Sequence, residues 1–432
     1  MRIDILAIGT RGDVQPYLAL ALGLQSAGDS VRLVTLDNFQ DMVRSRGLDQ
    51  LSILRNPPEK FQDPNAWRDW LEHHTRAFEF LRDLISVANS LIEASIASYW
   101  PFCRGIEALI ISPMGLLLGG AHIAEHLRVP LIRTQFFPRY DWEVRDNLMA
   151  FARGEWADFL GAAVRLLMWS KVRRNTNIAR QKILGLPPLS LAEPFGSLDR
   201  KRIPLLQAYS SAVVPSPPHW ESWVHVTGYW FLDDPQGWVP PSELVDFLRS
   251  GRPPVFVGFG SNPFPDPEAA TRLVVRALAS AGHRGVVVAG GSGLATGRLA
   301  DDVLSVDSVP HNWLFPQTCA AVHHGGAGVT GAALRAGLPS IVVPVFADQP
   351  FWAQRVFQLG AGPRPIPAKQ LTEDALTSAI RLTASKEMRG RARALGEQIR
   401  GEDGVARAVE AIRDHIRTAH ECSTGASVAY PS

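Results

Sequence analysis

The sequence is poor in cysteine, with three in 432 residues. Cys103, Cys319 and Cys422 lie far apart and form no CxxC pair. That excludes a disulfide framework and a cysteine zinc site, and it fits a reducing compartment. Net charge is also small: 44 Lys and Arg stand against 42 Asp and Glu. A domain built for nucleic acid would be more lopsided, so none is expected as a partner. No apolar run reaches the roughly 18 residues that a transmembrane helix needs. The longest candidate, Leu109–Ala121, is broken by Ser112, Pro113 and glycines. No signal-peptide cleavage site accompanies the first apolar run, Ile3–Ile8, and a cytoplasmic location is expected. There is no internal repeat and no low-complexity tract. What remains is a soluble-globular composition, 46% apolar and 20% charged, long enough for two domains.

The chain is organised around His323–Gln349. Ala320-Ala321-Val322 reads as a short strand, and His324-Gly325-Gly326-Ala327-Gly328 is a glycine-rich turn behind it. Val329–Gly337 reads as a helix closed by Gly337. Ser340–Val345 is a β-branched strand that delivers Asp348 and Gln349 to the loop beyond its carboxyl end. Glycines let backbone approach a ligand closely. The first amides of a helix are unpaired and favour an anion. The amides of Gly326, Ala327, Gly328 and Val329, with His324 beside them, are therefore a candidate phosphate site. Asp348 and Gln349 stand one strand away, suited to sugar hydroxyls. A phosphate site next to such a pair fits a nucleotide-sugar.

The N-terminal stretch repeats this logic. Arg2–Ile8 reads as a buried strand, Gly9–Asp13 as a loop, Val14–Ala27 as a helix and Val31–Thr35 as the next strand. The alternation predicts a parallel sheet with ligands at its carboxyl edge. The loop lacks GxGxxG. Further strands are predicted at Leu109–Ser112, Pro130–Thr134, Ser211–Val214 and Trp223–Tyr229. The Pro-, Gly- and Asp-rich Phe231–Pro241 reads as a linker, and Pro254–Phe259 restarts the alternation. Asp266-Pro267-Glu268 looks superficially like a metal-binding DxD. It reads better as the cap of a helix over Pro267–Ala281, and no metal site is assigned. Gly291–Gly297 carries GxGxxxG, but a strand at Leu304–Val309 follows too soon for a dinucleotide-binding helix.

The run from His323 to Gln349 resembles the donor signature of GT-B glycosyltransferases. Within them it is similar to the sterol 3-β-glucosyltransferases and related bacterial antibiotic and glycolipid enzymes, whose pattern is HHGGAGTT…RAGVP…P…DQ. Thr10–Pro16, TRGDVQP, is similar to the SRGDVQP of the same group. The resemblance implies an α/β fold of two Rossmann-like parallel-sheet domains facing each other across a cleft. They would comprise an acceptor domain, 1–232, and a donor domain, 242–403. A helix over 404–418 would cross back to the first domain, followed by a tail, 419–432.

It further implies an inverting, metal-independent hexosyltransferase without a cofactor. Its co-substrate would be a UDP-sugar, with UDP-glucose favoured by Asp348-Gln349, and its acceptor a small apolar hydroxylated molecule. By the same resemblance Asp13 is the catalytic base, a role compatible with capping the helix that follows it. Thr10 and Arg11 are donor-side loop residues, Ser261 faces the donor phosphates, and Val309, His311 and Trp313 lie near base and ribose. Trp313 either stacks on the base or fills the core. The chain departs from the pattern at Val329, where the family commonly has threonine, so one hydroxyl donor is missing. The aromatic-rich 55–170 region suggests a sterol, polyketide, phenolic or lipid aglycone. Its aromatic-then-basic stretch through Arg174 reads as an amphipathic helix or as a weak peripheral membrane contact. The alternatives are a dTDP-deoxysugar antibiotic glycosyltransferase, a nucleotide-sugar 2-epimerase and an inactive nucleotide-sugar-binding partner.

Overall fold

The structure is a computed structural model that describes residues 1–54, 77–138, 155–192, 196–218, 220–232, 238–260 and 264–423. Ser261, the linker centre 233–237, the residues Trp67, Trp70 and Trp142, and the tail beyond 423 lie outside the described residues.

Apolar β-branched runs form two sheets. β1 (Arg2–Leu6) leads into α1 (Arg11–Ser26), followed by β2 (Ser30–Thr35) and β3 (Asp49–Ser52). α2 (Ala77–Tyr99) precedes β4 (Ala108–Ile111) and β5 (Leu131–Gln135); α3 (Glu155–Lys182) precedes β6 (Leu205–Gln207) and β7 (Val224–Val226). Among the described residues these strands make one sheet, β3-β2-β1-β4-β5-β6-β7, and every pair is parallel. Short buried strands with helices on the faces are what parallel pairing demands. The Arg180 guanidinium of α3, wholly buried, bonds both carboxylate oxygens of Glu125 and so ties α3 to the sheet's helical layer.

The second sheet follows the same alternation. It comprises β8 (Val255–Gly258), α4 (Pro267–Ala281), β9 (Gly285–Val288), β10 (Gly297–Ala300), β11 (Val303–Val306), β12 (Ala320–His323), α5 (Ala327–Arg335), β13 (Ser340–Val342) and α6 (Gln349–Gln358). Its order is β10-β11-β9-β8-β12-β13, with only β10–β11 antiparallel among the described pairs. Two helices close the chain, α7 (Lys386–Arg400) and α8 (Gly404–Ser423).

Several sequence expectations shift. Val213 and Val214 belong to a turn, their amides donating to the Ser210 carbonyl. They are apolar because they pack with Tyr209 and Trp352, not because they pair in a sheet. The glycine-rich Gly291–Gly297 forms a tight turn into the antiparallel β10. α1 begins at Arg11, three residues before the expected start, and α5 begins at Ala327, two before. Met168 and Trp169 of α3 are buried while Lys171 and Arg174 are exposed, the arrangement of an amphipathic helix.

α8 lies against α1. Ala408, Ile412 and Ile416 join Tyr17, Leu20 and Leu24 in one buried cluster under the first sheet. Gly23 is the point of closest approach: a Cβ there would stand 2.4 Å from Val405 Cγ1. Gly23→Leu is therefore expected to force the helices apart and cost about 1–3 kcal/mol, read as a lower Tm in thermal unfolding. An unchanged Tm would show that this contact is not tight.

Candidate active site

Three loops converge from carboxyl strand ends. After β1, Thr10 is extended and caps α1. Its amide and its hydroxyl both donate to the same oxygen of Asp13, Oδ2, at 2.8 and 2.9 Å. This is a capping box. It uses one carboxylate oxygen, and Oδ1 has no hydrogen bond among the described residues. Gly9 makes the bend possible: its φ is +149°, and a Cβ there would come within 2.4 Å of Asp13 Oδ2. Asp13 keeps an exposed face toward solvent, and the protein packed behind it crowds its carboxylate. That crowding raises its pKa, against the lowering effect of the two Thr10 bonds.

The second loop follows β12. Gly325 has φ +90°, and its Cβ position is filled by Val342 Cγ1 at 2.6 Å. Gly326 is the N-cap of α5 and has no side chain to cap it. The first intrahelical bond runs from Thr330 N to Gly326 O. The amides of Ala327, Gly328 and Val329 thus have no acceptor in the helix and carry the positive end of its dipole. Gly328 is exposed with open space at its Cβ position. His324 is wedged between Gly260 and Gly326, where added Cβ atoms would meet its ring at 2.9 and 2.7 Å. Burial lowers its pKa to about 4, with a further push from His311. It is therefore a neutral hydrogen-bonding group at pH 7, not a cation.

The third loop follows β13. Asp348 is the N-cap of α6, and its Oδ2 accepts from Trp352 Nε1 at 2.8 Å. Ala347, just before it, sits at φ +54°, an unusual conformation for a residue with a Cβ. Gln349 is 4% exposed, and its Oε1 accepts from the amides of Val345 at 2.8 Å and Phe346 at 3.3 Å. The loop needs those amides satisfied, so only the Nε2 side of Gln349 is left for a ligand. Burial raises the Asp348 pKa to about 6, and the Asp13 carboxylate adds to the shift.

The two halves sense each other here. Asp13 raises Asp348, and Arg11 lowers His311, whose pKa falls to about 4 chiefly by burial. The His311 ring stacks on Phe315 at 4.7 Å and 6°. Trp313 is half-buried, tilted against Trp238 at 5.2 Å. Val309 and Val329 turn their side chains into the apolar cluster of Leu314, Phe315 and Ala333. They offer a ligand only backbone.

The family profile described as the glycosyltransferase family 28 N-terminal domain matches residues 3–144. That described as the erythromycin biosynthesis protein CIII-like C-terminal domain matches residues 273–408. Solved structures share the whole architecture. The kitacinnamycin glycotransferase is 17% identical with a TM-score of 0.68, covering 96% of this chain and 98% of its own. The glycosyltransferase VinC, solved in complex with dTDP, is 18% identical with a TM-score of 0.64, covering 98% and 100%. The chain has the GT-B fold.

Sequence relatives narrow the neighbourhood of this GT-B chain. It is 36% identical, over 95% of its length, to a sterol 3-β-glucosyltransferase of Cryptococcus neoformans var. neoformans serotype D, and equally to one of Penicillium rubens. It spans 27% and 30% of the length of those two curated relatives. Three residues of the GT-B site escaped sequence reasoning: Gly9, His323 and Trp352. The doubled histidine of the motif was visible. Nothing in the letters said that the first ring turns inward.

Proposed function

We propose that this chain transfers glucose from UDP-glucose, with inversion, to a hydroxyl of an apolar acceptor such as a sterol. The observation that carries the reading is the convergence of Asp13, whose Oδ1 has no hydrogen bond among the described residues, and Asp348, close enough for the two charges to couple, beside the unpaired amides of α5. The acceptor oxygen attacks the anomeric carbon while the bond from that carbon to the diphosphate oxygen breaks on the opposite side. Asp13 Oδ1 takes the acceptor's proton. The negative charge that builds on the departing UDP meets the Ala327, Gly328 and Val329 amides and a neutral N–H of His324, fixed before reaction. Asp348 accepts from sugar hydroxyls, with Gln349 Nε2 as a donor beside it. Arg11 and His311 lie on the nucleotide side.

The acceptor class rests on the sterol enzymes among the relatives. A cytoplasmic location belongs to the same proposal. No helix among the described residues is long and apolar enough to cross a membrane. A weak peripheral contact with an anionic membrane is supported by Leu166 and Leu167, 44% and 46% exposed on α3 near Lys171 and Arg174.

Calorimetric titration with UDP, UDP-glucose, dTDP and dTDP-glucose tests the donor. UDP-glucose is expected to bind, about tenfold more weakly in His324→Ala, the loss of one hydrogen bond to a charged group. Binding confined to the dTDP series would replace the donor assignment with a deoxysugar one. Failure of every nucleotide would end the proposal.

A further inference from the structure

We infer that His323 is a positioning residue for the diphosphate site, acting through the amide of Gly325. The inference rests on the donor-binding reading above. His323 is the last residue of β12 and is fully buried. Its backbone is held in the sheet: its carbonyl accepts from Val343 N at 2.8 Å. Its ring turns forward along the chain, and Nδ1 accepts from Gly325 N at 3.1 Å. That bond closes the joint between the strand and α5.

Packing against Val342 and the Gln349 carbonyl confines the joint, and the His323 ring is what bonds its amide. Gly325 is in the left-handed region, where a glycine is otherwise free to wander. Val342 limits it on one side by contact, at 2.6 Å from the Cβ position. The His323 ring fixes the amide on the other. Two residues after Gly325 the unpaired amides of α5 begin, and their direction follows from this turn. The geometry requires His323 to stay neutral, because an acceptor at Nδ1 cannot also carry a proton. The ring proton therefore sits on Nε2. Burial holds the pKa down to about 3, in keeping with that requirement. His323 touches no ligand. It acts beneath the site, and His324 acts within it.

Two variants separate positioning from mere filling of space. His323→Leu keeps bulk and removes the acceptor. His323→Asn offers Oδ1 at the position of Nδ1. Each would be measured for UDP affinity by calorimetry, for kcat and KM with UDP-glucose, for Tm, and for hydrogen exchange of the Gly325 amide. His323→Leu is expected to weaken UDP binding tenfold or more, raise KM in proportion and lose protection at Gly325. His323→Asn is expected to stay within about threefold of wild type on all of these. The inference is overturned if the folded Leu variant binds UDP like wild type, or if Asn rescues neither affinity nor protection. Should Leu fail to fold, Asn decides alone: wild-type affinity supports the inference and a tenfold loss overturns it. Wild-type protein that binds no nucleotide would instead bring down the donor reading, and this inference with it.

Discussion

Asp13→Asn is expected to lower kcat by about 10²–10⁴, the usual contribution of a general base, while UDP affinity stays within about twofold. The substitution is selective because of how the carboxylate is bound. Thr10 offers two donors, and both fall on Oδ2. An asparagine keeps its carbonyl oxygen there and the cap of α1 survives. Its amide nitrogen then occupies the place of Oδ1 and presents hydrogens where a proton must be received. The fold keeps its shape and the chemistry loses its acceptor. Steady-state kinetics at saturating donor, with calorimetry for UDP, reads both effects. A kcat within threefold of wild type would remove Asp13 from the base role. The pH profile supplies a second reading. Burial raises the Asp13 pKa, so kcat/KM of the wild type should fall on the acid side at a pH above the ordinary carboxylate range. In the Asn variant that limb should vanish.

Asp348→Asn is expected to weaken UDP-glucose binding about 10- to 100-fold, the cost of hydrogen bonds to a charged group, and to leave UDP binding unchanged. The same variant should be more stable. The folded-state pKa of Asp348 is about 6, against roughly 3.9 for an unfolded aspartate. A raised carboxyl favours the fold when protonated, so its contribution is intact below pH 4 and is lost as pH rises through 6. Asparagine removes that loss and still accepts from Trp352 Nε1. Unfolding measured across pH should show Asp348→Asn ahead by on the order of 1–2 kcal/mol at pH 8 and level with wild type at pH 4. The figure is set below the full shift because Asp348 is part-exposed to the cleft. Equal UDP-glucose affinity in the two proteins would remove Asp348 from sugar binding. A flat difference across pH would mean that burial does not raise the Asp348 carboxyl.

Much of the fold was legible because parallel sheets write themselves plainly. β1, β2, β4 and β5 are short and mostly buried, β4 is wholly apolar, and each precedes a helix. The donor stretch was legible for the same reason: glycines where backbone must turn, and polar residues only where strands end. What the letters leave out has one cause. Val213 and Val214 have the composition of a strand, and their burial comes from the distant Trp352, which no local pattern reports. Gln349 reads as a ligand by position, yet its oxygen serves Val345 and Phe346, a decision made by the loop's own unpaired amides. His324 reads as a hydrogen-bond donor beside a phosphate, and packing adds that its ring is neutral. In each case the letters fixed which group was present. Only packing decided what that group was bonded to, and in what protonation state.

The seat of α8 on α1 has a consequence in time. The buried cluster under the first sheet takes Ile3, Tyr17 and Leu24 from one end of the chain and Ala408, Ile412 and Ile416 from the other. During synthesis the strands of the first sheet emerge early, and domains tend to fold in the order they appear. This one cannot complete its core until residues 404–423 have been made. For the whole interval the inner face of α1, the helix that carries Asp13 in its first turn, stands open. The nascent chain therefore carries an apolar groove on α1 until α8 is made, and a ribosome that stalls before residue 404 releases a first domain without a finished core.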